Sequence, residues 1–194
     1  MEETSMKYTE MTVNDWDVRW HDRKIGFHKN TIHPLLDKHV EKLIAGRTNI
    51  KIFFPLCGKA IDMKWLSDKG HTVIGVEGSE MAIQEFFQEQ NMKFNTVDVP
   101  SIGGKLFTSE DNKIRLYCAD FYLFNSELEG KVDAVWDRGA MVAINRCDRP
   151  KYVSTMKPLI SENCKYFLDT LVYDETKYPG AFCDVELIDD IDAV

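Results

Sequence analysis

Basic clusters, paired cysteines, glycine triads and long apolar runs are all missing from this 194-residue chain. Lys and Arg number 24 against 32 Asp and Glu, giving a net charge of −8 and a pI near 5.2, and the basic residues nowhere gather into a run. Proteins that grip polyanions concentrate cations on one face, so nucleic acid is not the expected partner and a small molecule is favoured. The five cysteines, Cys57, Cys118, Cys147, Cys164 and Cys183, are odd in number and share no C-x-x-C spacing. Neither a disulfide framework nor a zinc site is suggested, so no metal is expected and a reducing compartment follows. No stretch approaches the roughly 20 apolar residues that span a bilayer. The start, Met1-Glu-Glu-Thr-Ser5, has neither the basic nor the apolar region of a signal peptide. The expected setting is the cytoplasm, with no membrane. Internal repeats, low-complexity tracts and linkers are also lacking, so 22.4 kDa with 44% apolar residues predicts a single domain over 1–194.

What the chain does have is one dense signal. Ile50-Lys-Ile-Phe-Phe54 is a β-branched and aromatic run, Pro55 and Gly58 punctuate the turn after it, and Ile61 to Lys69 with Gly70 behind predicts a helix with its C′ residue. Val73-Ile-Gly-Val-Glu77 is a second apolar run that ends in a carboxylate. Strand, tight turn, helix, strand and acid in this order make a nucleotide-binding βαβ unit. The ligand of such a unit lies across the carboxyl ends of parallel strands, and an acid about 20 residues after the turn holds ribose hydroxyls. Glu77 stands in that position. The turn Pro55-Leu-Cys-Gly-Lys-Ala60 has one glycine where a dinucleotide fingerprint has three. A pyrophosphate is poorly housed without them, whereas a nucleoside lacking phosphate needs less room, and S-adenosylmethionine is such a ligand. Its adenine calls for a polar or acidic group after the third strand, Asp120, and apolar side chains beside the ring, Leu56 and Phe121. A nicotinamide-dependent dehydrogenase shares the logic of Glu77 and is the alternative, disfavoured by the absent glycine triad.

Elsewhere strands and helices alternate. Thr12-Val-Asn-Asp15 reads as a capping box with Asp in place of Glu, opening a short helix that carries Trp16 and Trp20 on one face. Pro34 starts a helix with Leu35, Leu36, Val40, Leu43 and Ile44 at amphipathic spacing, ended by Gly46. Ser79 starts another, which runs to Gln90 and stops at Asn91. Lys105 to Ser109 and Ile114 to Cys118 form a hairpin pattern, either inserted before the third core strand or part of it. Val132 to Trp136 reads as a buried strand, a helix follows from about Asp148, and 165–172 reads as a last strand. Alternation of this kind predicts an α/β, Rossmann-like open sheet, mostly parallel, with helices on both faces and right-handed crossovers. Read locally, Cys57 is a packed turn residue, Arg138 pairs with Asp133 or Asp137, and Asp120 caps the turn after it.

Six runs in order resemble the thiopurine S-methyltransferase family. They are Trp16-Asp-Val-Arg-Trp20, Gly26-Phe-His28, Phe53-Phe-Pro-Leu-Cys-Gly-Lys59 with Met63-Lys-Trp65, Gln84-Glu-Phe-Phe87, Trp136-Asp-Arg-Gly-Ala140, and Tyr173-Asp174 with Lys177 and Pro179-Gly180. The resemblance, over 11–180, implies a class I methyltransferase that moves a methyl group from S-adenosylmethionine to the sulfur of aromatic or heterocyclic thiols such as thiopurines, leaving S-adenosylhomocysteine. It implies that Trp16, Trp20, Lys24, Gly26 and Phe27 wrap over the cofactor, and that Leu56, Gly58, Glu77, Asp120, Phe121 and Arg138 are further cofactor contacts. Phe27 and Arg138 also face the acceptor, and the family expectation is a monomer. A thiol acidic enough to be thiolate near neutral pH needs little from a general base, so orientation contributes most and Arg138 steers the anion. The family continues past Gly180 with a helix and an antiparallel pair of strands, whereas 181–194 is a divergent acidic tail with Asp184, Glu186, Asp189, Asp190 and Asp192. The resemblance is therefore to a C-terminally truncated or alternatively terminated form lacking those strands. An unpaired edge at 165–172 follows, and the alternative activity is that of an impaired chain that only binds cofactor or partner chains.

Overall fold

A computed structural model describes residues 10–170. Helices α1 (Val13–His21) and α2 (Pro34–Ile44) precede β1 (Lys51–Phe54), and α3 (Ile61–Asp68) leads to β2 (Thr72–Glu77) and α4 (Glu80–Glu89). Strands β3 (Phe94–Val99), β4 (Gly104–Ser109) and β5 (Ile114–Cys118) follow one another. After them come the one-turn α5 (Ser126–Glu129), β6 (Val132–Arg138), α6 (Arg149–Met156) and β7 (Ile160–Asp169). The strands form one sheet in the order β3-β4-β5-β2-β1-β6-β7. From β5 to β7 every neighbouring pair is parallel, while β3 pairs with β4, and β4 with β5, antiparallel. The mostly parallel open sheet is the one expected.

Both faces of the central strands are covered, which is why their sequences are apolar almost throughout. Ile52, Phe54 and Val73 pack under α2, α3 and α4, which supply Leu36, Leu43, Met63, Ile83 and Phe86. Phe53, Ile74 and Val135 pack on the opposite face, against Phe121, Phe124, Tyr152 and Met156. β1 lies between β2 and β6, so the chain leaves it on one side and returns on the other. A crevice at the carboxyl ends belongs to such a reversal of strand order, and it is the position where open α/β sheets bind ligands.

Several local expectations need correction. β3 was not anticipated; it is an edge strand exposed over most of its length, so no buried face imposes a pattern on it. Of the two readings of the hairpin, the second holds: Ile114–Cys118 is the third core strand, pairing in parallel with Val73–Glu77. The left-handed residue that closes α2 is Ala45, φ 54, with Gly46 following at φ 69. Ser79 precedes α4 but makes no capping bond. β7 begins at Ile160, five residues early, and its register against β6 shifts between the Val132–Ile160 and Ala134–Lys165 pairs. Among the described residues no helix is long and apolar enough to cross a membrane. The Tyr173 to Gly180 motif, Cys183, the acidic tail and the question of further C-terminal strands lie outside the described residues.

Candidate active site

The turn after β1 rests on left-handed backbone, with φ 42 at Leu56 and φ 51 at Gly58. A leucine in this region is strained, and such strain tends to collect at ligand sites. Cys57 N–H donates to the Val76 carbonyl at 2.9 Å and so ties the turn to β2. Gly58 has a second constraint, since a Cβ there would stand 3.1 Å from Cζ2 of Trp20. Beside it Glu77, the last residue of β2, is only 7% exposed. One of its carboxylate oxygens accepts from Gly58 N–H at 2.8 Å and the other from Ser79 N–H at 2.9 Å. Burial raises Glu77 above the ordinary glutamate value; the backbone donors oppose this and Asp17 adds to it. Each oxygen retains a second lone pair. The carboxylate is thus fixed by its neighbours and still able to accept a hydroxyl on either oxygen, which fits a ribose diol.

α1 lies across this end of the sheet. Its capping box forms as expected, Asp15 N–H donating to Thr12 Oγ1 at 3.2 Å and Thr12 N–H to Asp15 Oδ2 at 2.8 Å. Val13 presses on Gly78 so closely that a Cβ there would meet its Cγ1 at 2.6 Å. Ser79 Oγ donates to Asp17 Oδ1 at 2.5 Å, a tertiary bond that takes the hydroxyl away from capping α4. Trp20 is buried and Trp16 half-buried, and both meet Phe27 edge to face, with ring centroids 5.5 and 5.7 Å away. Phe27 itself is 37% exposed. The carbonyl of Phe27 accepts from Arg138 Nη1 at 2.8 Å. Neither nearby aspartate holds Arg138 in the way its local sequence suggested. Asp133 accepts from Lys51 N–H, while Asp137 accepts from the hydroxyls of Tyr152 and Tyr166. Residues 12–28 therefore form a strap, anchored on the ends of β1, β2 and β6.

Asp120 Oδ1 accepts from Tyr122 N–H at 2.9 Å and caps a 3-10 turn over Phe121–Leu123. Phe121 is buried and stacks on Tyr152 at 4.9 Å. Two predicted residues stay apart from the rest. Lys24 is exposed, its ammonium donating to Asp22 at 2.8 Å, and nothing lies within 4 Å of a Cβ built on Gly26. Cys57 is buried, and burial, then Glu77, pushes its thiol well up, as suits a packed residue. Two carboxylates near this end of the sheet are buried, which nothing in their local sequence indicates for Asp62. Asp137 has no exposed surface, and Asp62, 5% exposed, accepts from His33 N–H at 2.8 Å. The one available signal for Asp137 was a charge at the end of an apolar run. Open cavities of about 290 Å³ between α2 and β7, and about 360 Å³ beside Glu80 and Lys105, flank the crevice, whose centre is covered by the strap.

Comparison with known proteins agrees with this layout. The family model for thiopurine S-methyltransferase matches residues 11–187. A probable thiopurine S-methyltransferase of Danio rerio is 52% identical over 171 residues, covering 88% of this chain and 74% of the relative. The thiopurine S-methyltransferase of Canis lupus familiaris is 44% identical over 171 residues, covering 88% and 70%. Among solved structures, magnesium protoporphyrin IX methyltransferase of Synechocystis, with bound SAM, superposes at TM-score 0.55 with 15% identity, covering 80% of this chain and 75% of that one. The 1,6-didemethyltoxoflavin-N1-methyltransferase of Burkholderia thailandensis, with bound S-adenosylhomocysteine, gives TM-score 0.54 with 14% identity over 79% of this chain; the match spans 58% of that one. At such identities the structures speak for the fold alone. The family model, however, runs through the strap, the turn, Glu77 and Arg138 together, and with a relative half identical to it this chain belongs to the thiopurine S-methyltransferase family.

Proposed function

We propose that this chain methylates the sulfur of aromatic or heterocyclic thiols of the thiopurine kind, using S-adenosylmethionine. The observation that carries the reading is Glu77, buried between the N–H groups of Gly58 and Ser79 beneath a tryptophan-bearing strap, in a chain of this family. When bound, S-adenosylmethionine supplies a methyl group on a sulfonium, which a thiolate takes by in-line displacement. Glu77 accepts the ribose hydroxyls. Leu56 and Phe121 flank the adenine, with Asp120 at its polar edge. Trp20 and Phe27 offer aromatic faces to a cation, an attraction of about 0.5–2 kcal/mol each. Arg138 spends Nη1 on Phe27, and its remaining N–H groups are available to an acceptor anion. Phe27 sets a flat surface beside that charge, and the strap keeps water from the reacting atoms. No side chain is assigned the removal of a proton, because a thiol that is largely thiolate near neutral pH brings its own nucleophile. Holding the reactants in line is then the main contribution, worth roughly 7–11 kcal/mol in favourable cases. The acceptor is a small molecule met in the cytoplasm, and a monomer is the family expectation.

The test is transfer of label from methyl-labelled donor to a simple aromatic thiol. A labelled thioether is expected, with none from the corresponding phenol. A folded sample that binds S-adenosylhomocysteine yet turns over no thiol would overturn the acceptor assignment. Displacement of S-adenosylhomocysteine by NAD would revive the dehydrogenase reading.

A further inference from the structure

Lys59 follows Gly58 in the turn and is 6% exposed, an unusual burial for a lysine. Its ammonium donates to Glu85 Oε2 at 2.8 Å and to Glu89 Oε1 at 2.6 Å, both on α4. The other oxygen of Glu85 accepts from Nη1 of Arg23, in the turn that ends α1. One carboxylate, 14% exposed, thus takes one cation from the turn beneath the cofactor position and another from the strap above it. Arg23 has φ 60, a backbone state that glycine or asparagine adopts with less strain. Its neighbours hold it there, Arg23 N–H donating to Trp20 O at 3.2 Å and Lys24 N–H to Arg19 O at 2.9 Å. Arg138 holds the far end of the strap at Phe27, so Trp20 is fixed on Gly58 between two anchors.

We propose that Glu85 is a positioning residue. Through Arg23 it docks the strap on the Lys59 turn and so sets cofactor affinity without touching the cofactor. The inference rests on the cofactor reading above. Burial acts to raise Glu85, but Lys59 and Arg23 outweigh it and hold the carboxyl below the ordinary glutamate value, so the shared acceptor stays ionised at neutral pH. The two arms differ in strength. Lys59 is enclosed, whereas Arg23 is 60% exposed, so the strap arm is the weaker and the more sensitive to salt.

The test is Arg23→Asn, which suits the left-handed backbone, removes the guanidinium and leaves Lys59 with both glutamates. The dissociation constant for S-adenosylhomocysteine, measured by calorimetry, should rise roughly two- to fivefold. The donor KM should rise with it while kcat at saturating donor holds, and the melting temperature should barely move. In the ligand-free protein, amide exchange across 13–27 should quicken. Arg23→Lys should recover most of the affinity, and added salt should reproduce the loss in the unsubstituted chain. Equal affinity and equal exchange in R23N would overturn the proposal, as would a fall in kcat and melting temperature without a change in KM. An unsubstituted chain that takes up no S-adenosylhomocysteine would overturn the cofactor reading and the affinity role with it.

Discussion

Arg138, the last residue of β6, donates to the carbonyl of Phe27 across 111 positions of sequence. The same guanidinium that is proposed to meet the acceptor anion therefore also fixes the aromatic ring that would lie beside that acceptor. Arg138→Met removes both functions. A hydrogen bond from a charged group contributes about 1.5–3 kcal/mol, so kcat/KM for an aromatic thiol is expected to fall at least roughly tenfold. Arg138→Lys should restore part of it, since one ammonium replaces the charge but not the fork. Steady-state kinetics on the three proteins check this.

Glu77 gives a prediction in which binding and stability move in opposite directions. Its folded value is raised by burial, so the folded chain holds this proton more tightly than the unfolded chain does. The stability this site contributes is present below the ordinary glutamate value and is lost as pH rises through the folded one. Acceptance of ribose hydroxyls needs the ionised form and follows the reverse course. Over that acid window, S-adenosylhomocysteine affinity should drop as pH falls, while Glu77 does not weaken the fold. Glu77→Gln should flatten the pH response of binding and cost roughly 10–100-fold in affinity at pH 7. Calorimetry over a pH series, with urea melts alongside, measures both trends.

Gly58→Ala meets two obstacles. Left-handed backbone costs a residue with a Cβ about 1–2 kcal/mol, and the new methyl would press on Trp20 at 3.1 Å. The unfolding free energy from urea titration should fall by about that amount. Tryptophan emission should also shift, because Trp20 can relieve the clash only by lifting from the turn.

Asp137 Oδ2 accepts from Tyr152 Oη at 2.7 Å and Tyr166 Oη at 2.6 Å, joining β6, α6 and β7 behind Arg138. Tyr152→Phe and Tyr166→Phe should each destabilise the fold by about 1.5–3 kcal/mol. Because the two hydroxyls serve one buried oxygen, their effects should depart from additivity in a double-mutant cycle. Additive losses would mean that the carboxylate does not couple them.

The βαβ unit from Lys51 to Glu77 was legible because everything that defines it is local: a short apolar run, a turn with Pro55 and Gly58, a helix, a second run and an acid. The α1 capping box was legible for the same reason. Ser79 misled, since its hydroxyl is claimed by Asp17, 62 positions earlier, and local pattern has no access to that choice. β3 escaped because an edge strand with exposed Asn95, Thr96 and Asp98 has no buried face to write a period into its sequence. Asp120 was ambiguous from the outset, and its bond to Tyr122 satisfies the local reading without spending its second oxygen on the turn. Lys59 and Glu85 each sit within a family run, yet only the fold brings them together.

The strap carries a consequence for assembly. Residues 12–28 leave the ribosome before the surfaces they dock on, which are Gly58, Gly78, Glu85 and finally Arg138. Synthesis is vectorial, and domains fold as units once their parts are available. The strap must therefore wait, undocked and with two tryptophans in it, until β6 has emerged and joined the sheet. Closure of the site is then among the last long-range events of folding, and its completion reports that the central strands are already in place.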